Sequence, residues 1–350
     1  MALNSHTGPS SNSRSNQLSK LTTTQDRHPE LWQDSNQKRD GFAHLLNGLA
    51  EKMSTDEAVN ICLLTESIAG HFAYGYTTLQ KGEITLDLAR GHGDLNQLLA
   101  PTTLERAEAF ELIKTPTIYD GWAERSQHRV ARRTLWELGP TAKKYLDMQT
   151  IRGYDQDTTS LRSDANEGIV HRYILRLTEH VYRGKGKEVD TYVRADAVAD
   201  IRDDLAAKVY DMVAYNDNGS IYATCEIEMR PLDRAHVAND ARLQAALPGD
   251  SDWVVCRKED VNRLLDTFVK DGAITLPNGH PGWGNALDLS TNNAMERLKR
   301  VVDSSDGSIP TLESPIITTV NTADNIRQIA QEVRPEIFSE LNLDLSGVEQ

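Results

Sequence analysis

Asp211-Met-Val-Ala-Tyr215 and Ile221-Tyr-Ala-Thr-Cys-Glu-Ile-Glu-Met-Arg230 are two apolar runs on either side of the segment Asn216-Asp-Asn-Gly-Ser220. Apolar runs that flank an Asn/Gly turn predict a β-hairpin. Because side chains alternate faces along a strand, Glu226 and Glu228 are expected to point to the same side. Asp211 lies on the neighbouring strand, from which it can reach both glutamates. The hairpin therefore predicts three carboxylates on one face of a sheet.

Three converging carboxylates repel one another unless a cation lies between them. Mg²⁺ or Mn²⁺ is the expected ion, because hard cations prefer carboxylate oxygens. The alternative is that Glu226 and Glu228 line the solvated face of an ordinary hairpin, with Asp211 closing a turn. The acidic residues interrupt runs that are otherwise mostly apolar, and this favours a metal site.

The elements around the hairpin have a definite predicted order, which is helix, three strands, helix, strand, helix. Besides the two hairpin strands, it comprises a helix over 163–182, a strand over 188–193, a helix over 233–247, a strand over 252–256 and a helix over 259–269. Over residues 163–272 this order resembles the core of the PD-(D/E)xK restriction-endonuclease-like superfamily. The resemblance implies an α/β core with the order αβββαβ and a metal-dependent hydrolysis of DNA.

The resemblance also implies roles for particular residues. Asp211 matches the acidic metal ligand on the second strand and Glu226 the acid of the acid-x-Lys pair, while Glu228 stands where Lys is usual. Glu228 would then be a further ligand or would orient the attacking water. Arg230 would stabilise charge on the phosphorane, or pair with one of the glutamates. Glu167, on the preceding helix, is the expected fourth ligand.

Three further residues near this site have weaker expected roles. His171, one turn after Glu167, is a candidate general base. Arg234 and His236 begin the next helix, where backbone N–H groups favour phosphate, although both could be plain surface residues.

Residues 29–150 are similar to a winged helix-turn-helix domain. A helix is predicted over 101–113, and a two-stranded wing follows over 115–138. The wing is locally basic and suits contacts with the DNA backbone. The alternative is a solvated hairpin in a helical protein-interaction domain. The expected DNA-binding side chains are Arg125, Arg129, Arg132 and Arg133.

A helix is also predicted over 56–80. Its apolar stripe indicates either a core or a homodimer face. The stripe consists of Ile61, Leu64, Ile68, Phe72 and Leu79.

Composition limits the remaining possibilities. The 350 residues allow two domains with tails, and the formal net charge is −14. With 13 Lys, 25 Arg and 30 Asp, the chain is typical of a protein adapted to high salt, and a haloarchaeal host, virus or plasmid is the expected source. Three widely separated cysteines argue against a zinc site or a disulfide framework.

The remaining expectations concern location and the ends of the chain. Without a membrane-length apolar run or a signal-peptide core, a cytoplasmic protein is expected. Residues 1–28 are predicted to be a disordered tail and 273–350 a helical extension. The overall prediction is an α+β fold, in which a helical winged-helix domain precedes the nuclease-like core. It leaves two functions open, a metal-dependent DNA endonuclease and a catalytically inactive regulator of transcription or of plasmid or virus replication.

Overall fold

The fold is mixed α/β, with helices and separate β-sheets in the two halves of the chain. It comes from a computed structural model. The structure describes residues 35–73, 79–80, 82–84, 88, 95–119, 132–148, 150–151, 161–162, 167–199, 203–229, 234–257, 260–261, 263–264, 267 and 318–338. The predicted tail at 1–28, the parts of the predicted extension at 273–317 and 339–350, and the tip of the predicted wing therefore lie outside the described residues.

The N-terminal half combines helices with a small antiparallel sheet, in which β1 and β2 flank β4 and β3 also pairs with β4. Its elements are α1 (Ser35–Ala50), α2 (Thr55–Ala73), β1 (Leu79–Gln80), α3 (Leu95–Leu98), α4 (Pro101–Ala109), β2 (Ile113–Lys114), β3 (Thr117–Tyr119), β4 (Arg132–Leu138) and α5 (Pro140–Tyr145).

Two helices in this half are shorter than predicted. The helix expected to reach residue 80 ends at Ala73, and Leu79–Gln80 pairs as a strand with β4 instead. The helix expected to reach residue 113 ends at Ala109, because Glu111 adopts a left-handed backbone conformation (φ 54°) that leads the chain into β2. The apolar stripe predicted over 56–80, which lies in α2 and at Leu79 of β1, belongs to the hydrophobic core, so the interpretation of this stripe as core is confirmed.

The C-terminal half is built on a five-stranded mixed sheet. Its elements are β5 (Thr150–Ile151), β6 (Leu161–Arg162), α6 (Ile169–Gly184), β7 (Glu188–Arg194), α7 (Ala195–Val198), α8 (Asp203–Ala206), β8 (Val209–Tyr215), β9 (Ile221–Glu228), α9 (Arg234–Gln244), β10 (Asp250–Val255), β11 (Thr319–Thr322), α10 (Ala323–Val333) and α11 (Pro335–Phe338). The strand order is β11-β10-β9-β8-β7. Strand β8 is antiparallel to both β7 and β9, whereas β10 is parallel to both β9 and β11.

The predicted hairpin is confirmed as β8 and β9. Its turn closes with a hydrogen bond of 2.8 Å from Asn216 N to Ser220 O, and Gly219 takes a positive φ of 77°. The predicted helix, first strand and parallel strand around the hairpin are also observed, as α6, β7 and β10.

Apolar packing covers both faces of this sheet. On one face α6 and α10 pack over a core that includes Met212, Cys225 and Val254. On the other face Leu243, in α9, packs with Tyr210 of β8, whose hydroxyl donates a 2.6 Å hydrogen bond to Leu243 O. The sheet is therefore held between helices.

Part of the predicted helical extension belongs to this sheet. Thr319–Thr322 adds a parallel strand beside β10, and α10 then packs against α6. α10 ends at Val333, with Arg334 as its C-cap, because Pro335 follows and disfavours the helical conformation at the residue before it.

Buried ion pairs join the two halves of the chain. Arg176, on α6, donates hydrogen bonds of 2.9 and 2.5 Å to Glu83 of the N-terminal half and one of 2.6 Å to Glu179. Arg172 likewise pairs with Glu137 of β4 at 2.8 Å. The N-terminal sheet thus rests directly on the helix that leads into the acidic region of the larger sheet.

Candidate metal centre

The strand register places Asp211 beside Glu226. Met212 pairs with Cys225, so Asp211 and Glu226 lie one step further along the same antiparallel ladder. The backbone N–H of Ile227 donates a 2.8 Å hydrogen bond to Asp211 Oδ2, which fixes that carboxylate against β9. The predicted approach of Asp211 to the glutamate strand is therefore observed.

Glu167, His171 and Asp211 form a first group, whose donor atoms all lie within 4.8 Å of one another. His171 Nε2 is 3.1 Å from Asp211 Oδ2, and His171 Nδ1 contacts Glu167 Oε2. The hydroxyl of Tyr192 donates a 2.7 Å hydrogen bond to the same Glu167 oxygen. Tyr192 has a left-handed backbone (φ 52°), an unusual conformation for an aromatic residue and one that clusters at functional sites.

His171 is a cation in this arrangement. Burial lowers its pKa, but the Asp211 and Glu167 carboxylates on either side more than offset that effect and raise the pKa to about 10. A protonated imidazole cannot accept a proton, so His171 is not a general base in this state. Its single positive charge offsets one of the two negative charges, whereas a divalent ion would offset both.

Glu226 is buried among negative charges. Its side chain is only 6% exposed, and Oε1 has no hydrogen-bond partner among the described residues. Burial raises its pKa well above the usual value, and the Asp211 and Asp240 carboxylates raise it further. A hydrogen bond from the Asp211 backbone lowers the pKa but does not offset these effects. A buried carboxyl oxygen without a partner is costly, and a bound cation would satisfy it.

Glu228, His236 and Asp240 form a second group within 4.8 Å. Glu228 is buried at the end of β9, and His236 Nε2 lies 3.2 Å from Asp240 Oδ2 on α9. Burial raises the pKa of Asp240 to about 7; His236 lowers it, whereas Asp211 and Glu228 raise it. The Asp211 carboxylate therefore raises the pKa of His171 in the first group and of Asp240 in the second.

The predicted site residues are therefore divided between two groups. Asp211 and Glu167 lie together, Glu226 lies beside them, and Glu228 belongs to the second group. Glu167 precedes α6 by two residues instead of lying within it, because Gly168 is extended (ψ 151°) at the N-cap. Arg230, Arg125 and Arg129 lie outside the described residues, as do the side chains of Arg132 and Arg133, whose backbones belong to β4.

Sequence reasoning missed Asp240 and undervalued its partner. The position of His236 at a helix start predicts a phosphate contact or a surface residue, and no sequence pattern used above points to Asp240. The available signal was their spacing of four residues, which places both on one face of a helix. Glu167 and His171 have the same spacing at the start of α6.

Both groups fit a divalent cation, since each offers one imidazole nitrogen and two carboxylates. None of the described helices has both the length and the apolar character needed to cross a membrane. No family model, no curated protein and no solved structure matches this chain.

Proposed function

We propose that this protein binds DNA and hydrolyses its phosphodiester bonds with a divalent cation, Mg²⁺ or Mn²⁺. Asp211 and Glu226 would hold the ion, with Glu167 as a further ligand. One observation carries the proposal: the buried Glu226, with an unsatisfied oxygen, lies opposite Asp211 in the register of the adjacent strands. Apart from the short helices α7 and α8 between β7 and β8, the elements around that pair follow the αβββαβ order that the nuclease resemblance implies.

The chemistry assigned to these residues is direct. The bound ion would polarise a phosphate oxygen and lower the pKa of a coordinated water. Asp211 is oriented for this role by its hydrogen bond from Ile227 N. An ion held by Glu167 and Asp211 would replace the positive charge that His171 supplies there, so loading the ion is expected to release the proton of His171. Glu228 and Arg230 stay candidates for orienting water and stabilising the phosphorane charge.

The DNA-binding part of the proposal rests on the N-terminal half. α4 is followed by the antiparallel strands β3 and β4, which is the arrangement expected of a recognition helix and a wing. β4 begins with Arg132 and Arg133, within the basic segment of the sequence. Basic side chains on a wing would contact DNA phosphates.

A catalytically inactive DNA-binding regulator is the second candidate, and a specific observation favours it. His171 already supplies a positive charge between Glu167 and Asp211, so part of the repulsion between these carboxylates is relieved without an ion. Glu228, in place of the usual Lys, points the same way. An inactive protein would keep the fold and the DNA-binding surface while binding no metal.

Cleavage of DNA separates the two candidates. Wild-type protein is expected to cut plasmid DNA with Mg²⁺ or Mn²⁺, while Asp211→Ala is expected to lose cleavage and keep its circular dichroism spectrum. Asp217→Ala, which changes an exposed acid in the turn of the same hairpin, is the matched control and should cut normally. Wild-type protein that cuts no DNA with either ion, at low or high salt, would overturn the enzyme proposal.

A further inference from the structure

The second acidic group is organised by a match between β9 and α9. Thr224, Glu226 and Glu228 alternate along β9 and so share one face of the strand. Thr224 hydrogen-bonds to Gln244, which fixes one end of α9 against that face. Two residues of strand advance by about 6.6 Å, and four residues of helix by about 6 Å. Each advance of two residues along β9 is therefore matched by four residues of α9, and this holds for the next two such advances.

This match sets the partners of the two glutamates. One helical turn before Gln244 is Asp240, and one turn before that is His236. Glu226 accordingly faces Asp240, and Glu228 faces His236. The close approach of donor atoms from Glu228, His236 and Asp240 agrees with this pairing. Strand and helix thus supply one site jointly.

Glu226 supplies an independent indication of a ligand. It is 94% removed from solvent (6% exposed), and its Oε1 has no hydrogen-bond partner among the described residues. It lies on the ladder beside Asp211 and on the strand face toward Asp240. A buried carboxylate between two donor groups is suited to bridging two cations.

We propose that Glu228, His236 and Asp240 form a second divalent-cation site, and that Glu226 is the carboxylate shared between it and the site at Asp211. The inference rests on the proposed function for the site at Asp211 and extends it to a two-ion centre. The imidazole of His236 favours a transition-metal ion such as Mn²⁺ over Mg²⁺, which prefers oxygen ligands alone. The His236 side chain is 65% exposed, which gives the ion a route in from solvent.

The number of bound Mn²⁺ ions tests this proposal. Titration of the full chain, followed by electron paramagnetic resonance of free Mn²⁺, is expected to give two ions per chain. The double variant His236→Ala/Asp240→Asn is expected to bind one, with the lost site weakened more than about tenfold, since even residues that only support ligands cost 10- to 100-fold in affinity. Asp217→Asn, in the exposed turn, should bind two.

A second readout concerns Glu226. Two Mn²⁺ ions that share a carboxylate are magnetically coupled, so the loaded wild-type protein should show a coupled spectrum. Glu226→Gln should abolish that coupling. A loaded wild-type protein with two uncoupled ions would overturn the role of Glu226.

The outcomes separate this inference from the proposed function. One ion per chain, lost in Asp211→Asn but kept in the His236/Asp240 double variant, would overturn the second site and leave the first. Two ions without any DNA cleavage would keep the two-ion centre and overturn the hydrolytic function. Wild-type protein that binds no Mn²⁺ would overturn this inference, whatever a cleavage assay with Mg²⁺ shows.

Discussion

Replacing Glu226 with Gln is expected to stabilise the metal-free protein at neutral pH. The folded state holds the Glu226 carboxyl in its protonated form more strongly than the unfolded chain does, because burial and the Asp211 and Asp240 charges raise its pKa well above 4.5. Between pH 4.5 and 7 this ionisation destabilises the folded state by at most about 3.5 kcal/mol, at about 1.4 kcal/mol per pH unit. Gln keeps the shape of the side chain and removes this cost.

The pH dependence of the effect has a definite sign. A carboxyl whose folded pKa is raised destabilises the protein increasingly as pH rises from its unfolded value toward its folded value. The free energy of unfolding of Glu226→Gln should therefore match that of wild type near pH 4.5 and exceed it by up to about 3.5 kcal/mol at pH 7. Urea denaturation in EDTA, followed by circular dichroism between pH 5 and 8, measures the difference. Glu188→Gln, exposed at the start of β7, is the control and should change stability by less than about 0.5 kcal/mol.

Bound metal should make wild type more stable than Glu226→Gln, the reverse of the order expected in EDTA. An ion that binds only the folded protein stabilises it in proportion to the logarithm of its concentration over Kd. With saturating Mn²⁺, wild type should gain stability, and Glu226→Gln should gain less because a ligand is missing. A Glu226→Gln protein that is no more stable than wild type in EDTA at pH 7 would refute the electrostatic reasoning.

Two further predictions concern the rest of the chain. Arg176→Ala should lower the free energy of unfolding by about 3–5 kcal/mol, because the buried Glu83 would lose its guanidinium partner and keep only His180, whereas Glu179 would keep Arg183. Urea denaturation beside the partly exposed Arg194→Ala control would measure the difference. A wing variant should bind DNA more weakly with a salt slope about 2–3 lower, and fluorescence anisotropy over a range of salt would detect it; unchanged binding would move the DNA contacts elsewhere. The wing variant changes Arg129, Arg132 and Arg133 to Glu.

The elements of the larger sheet could be predicted because their signals are local. The Asn216–Ser220 turn, the alternation along β9 and the glycine-containing end of α6 each depend on a few adjacent residues. The fifth strand could not be predicted in the same way. Thr319–Thr322 is short, and it becomes a strand only through parallel pairing with β10, more than sixty residues earlier in the chain.

The candidate site was only partly predictable for a related reason. Asp211 and Glu226 are joined by hairpin register, which the sequence encodes. The contact of His171 with Asp211 instead depends on how α6 lies over the sheet, and the contact of Asp240 with Glu228 depends on α9. Neither helix position follows from local periodicity. The left-handed backbone of Tyr192, which brings its hydroxyl to Glu167, has no sequence signal that we can identify.

The central claim is that Asp211 and Glu226 hold a divalent cation. The most direct measurement is anomalous diffraction from crystals of the protein grown with Mn²⁺. The account predicts an anomalous peak within about 2.0–2.6 Å of an oxygen from each of these two carboxylates. Crystals grown with saturating Mn²⁺ that show no such peak, and in which His171 still bridges Glu167 and Asp211, would contradict it.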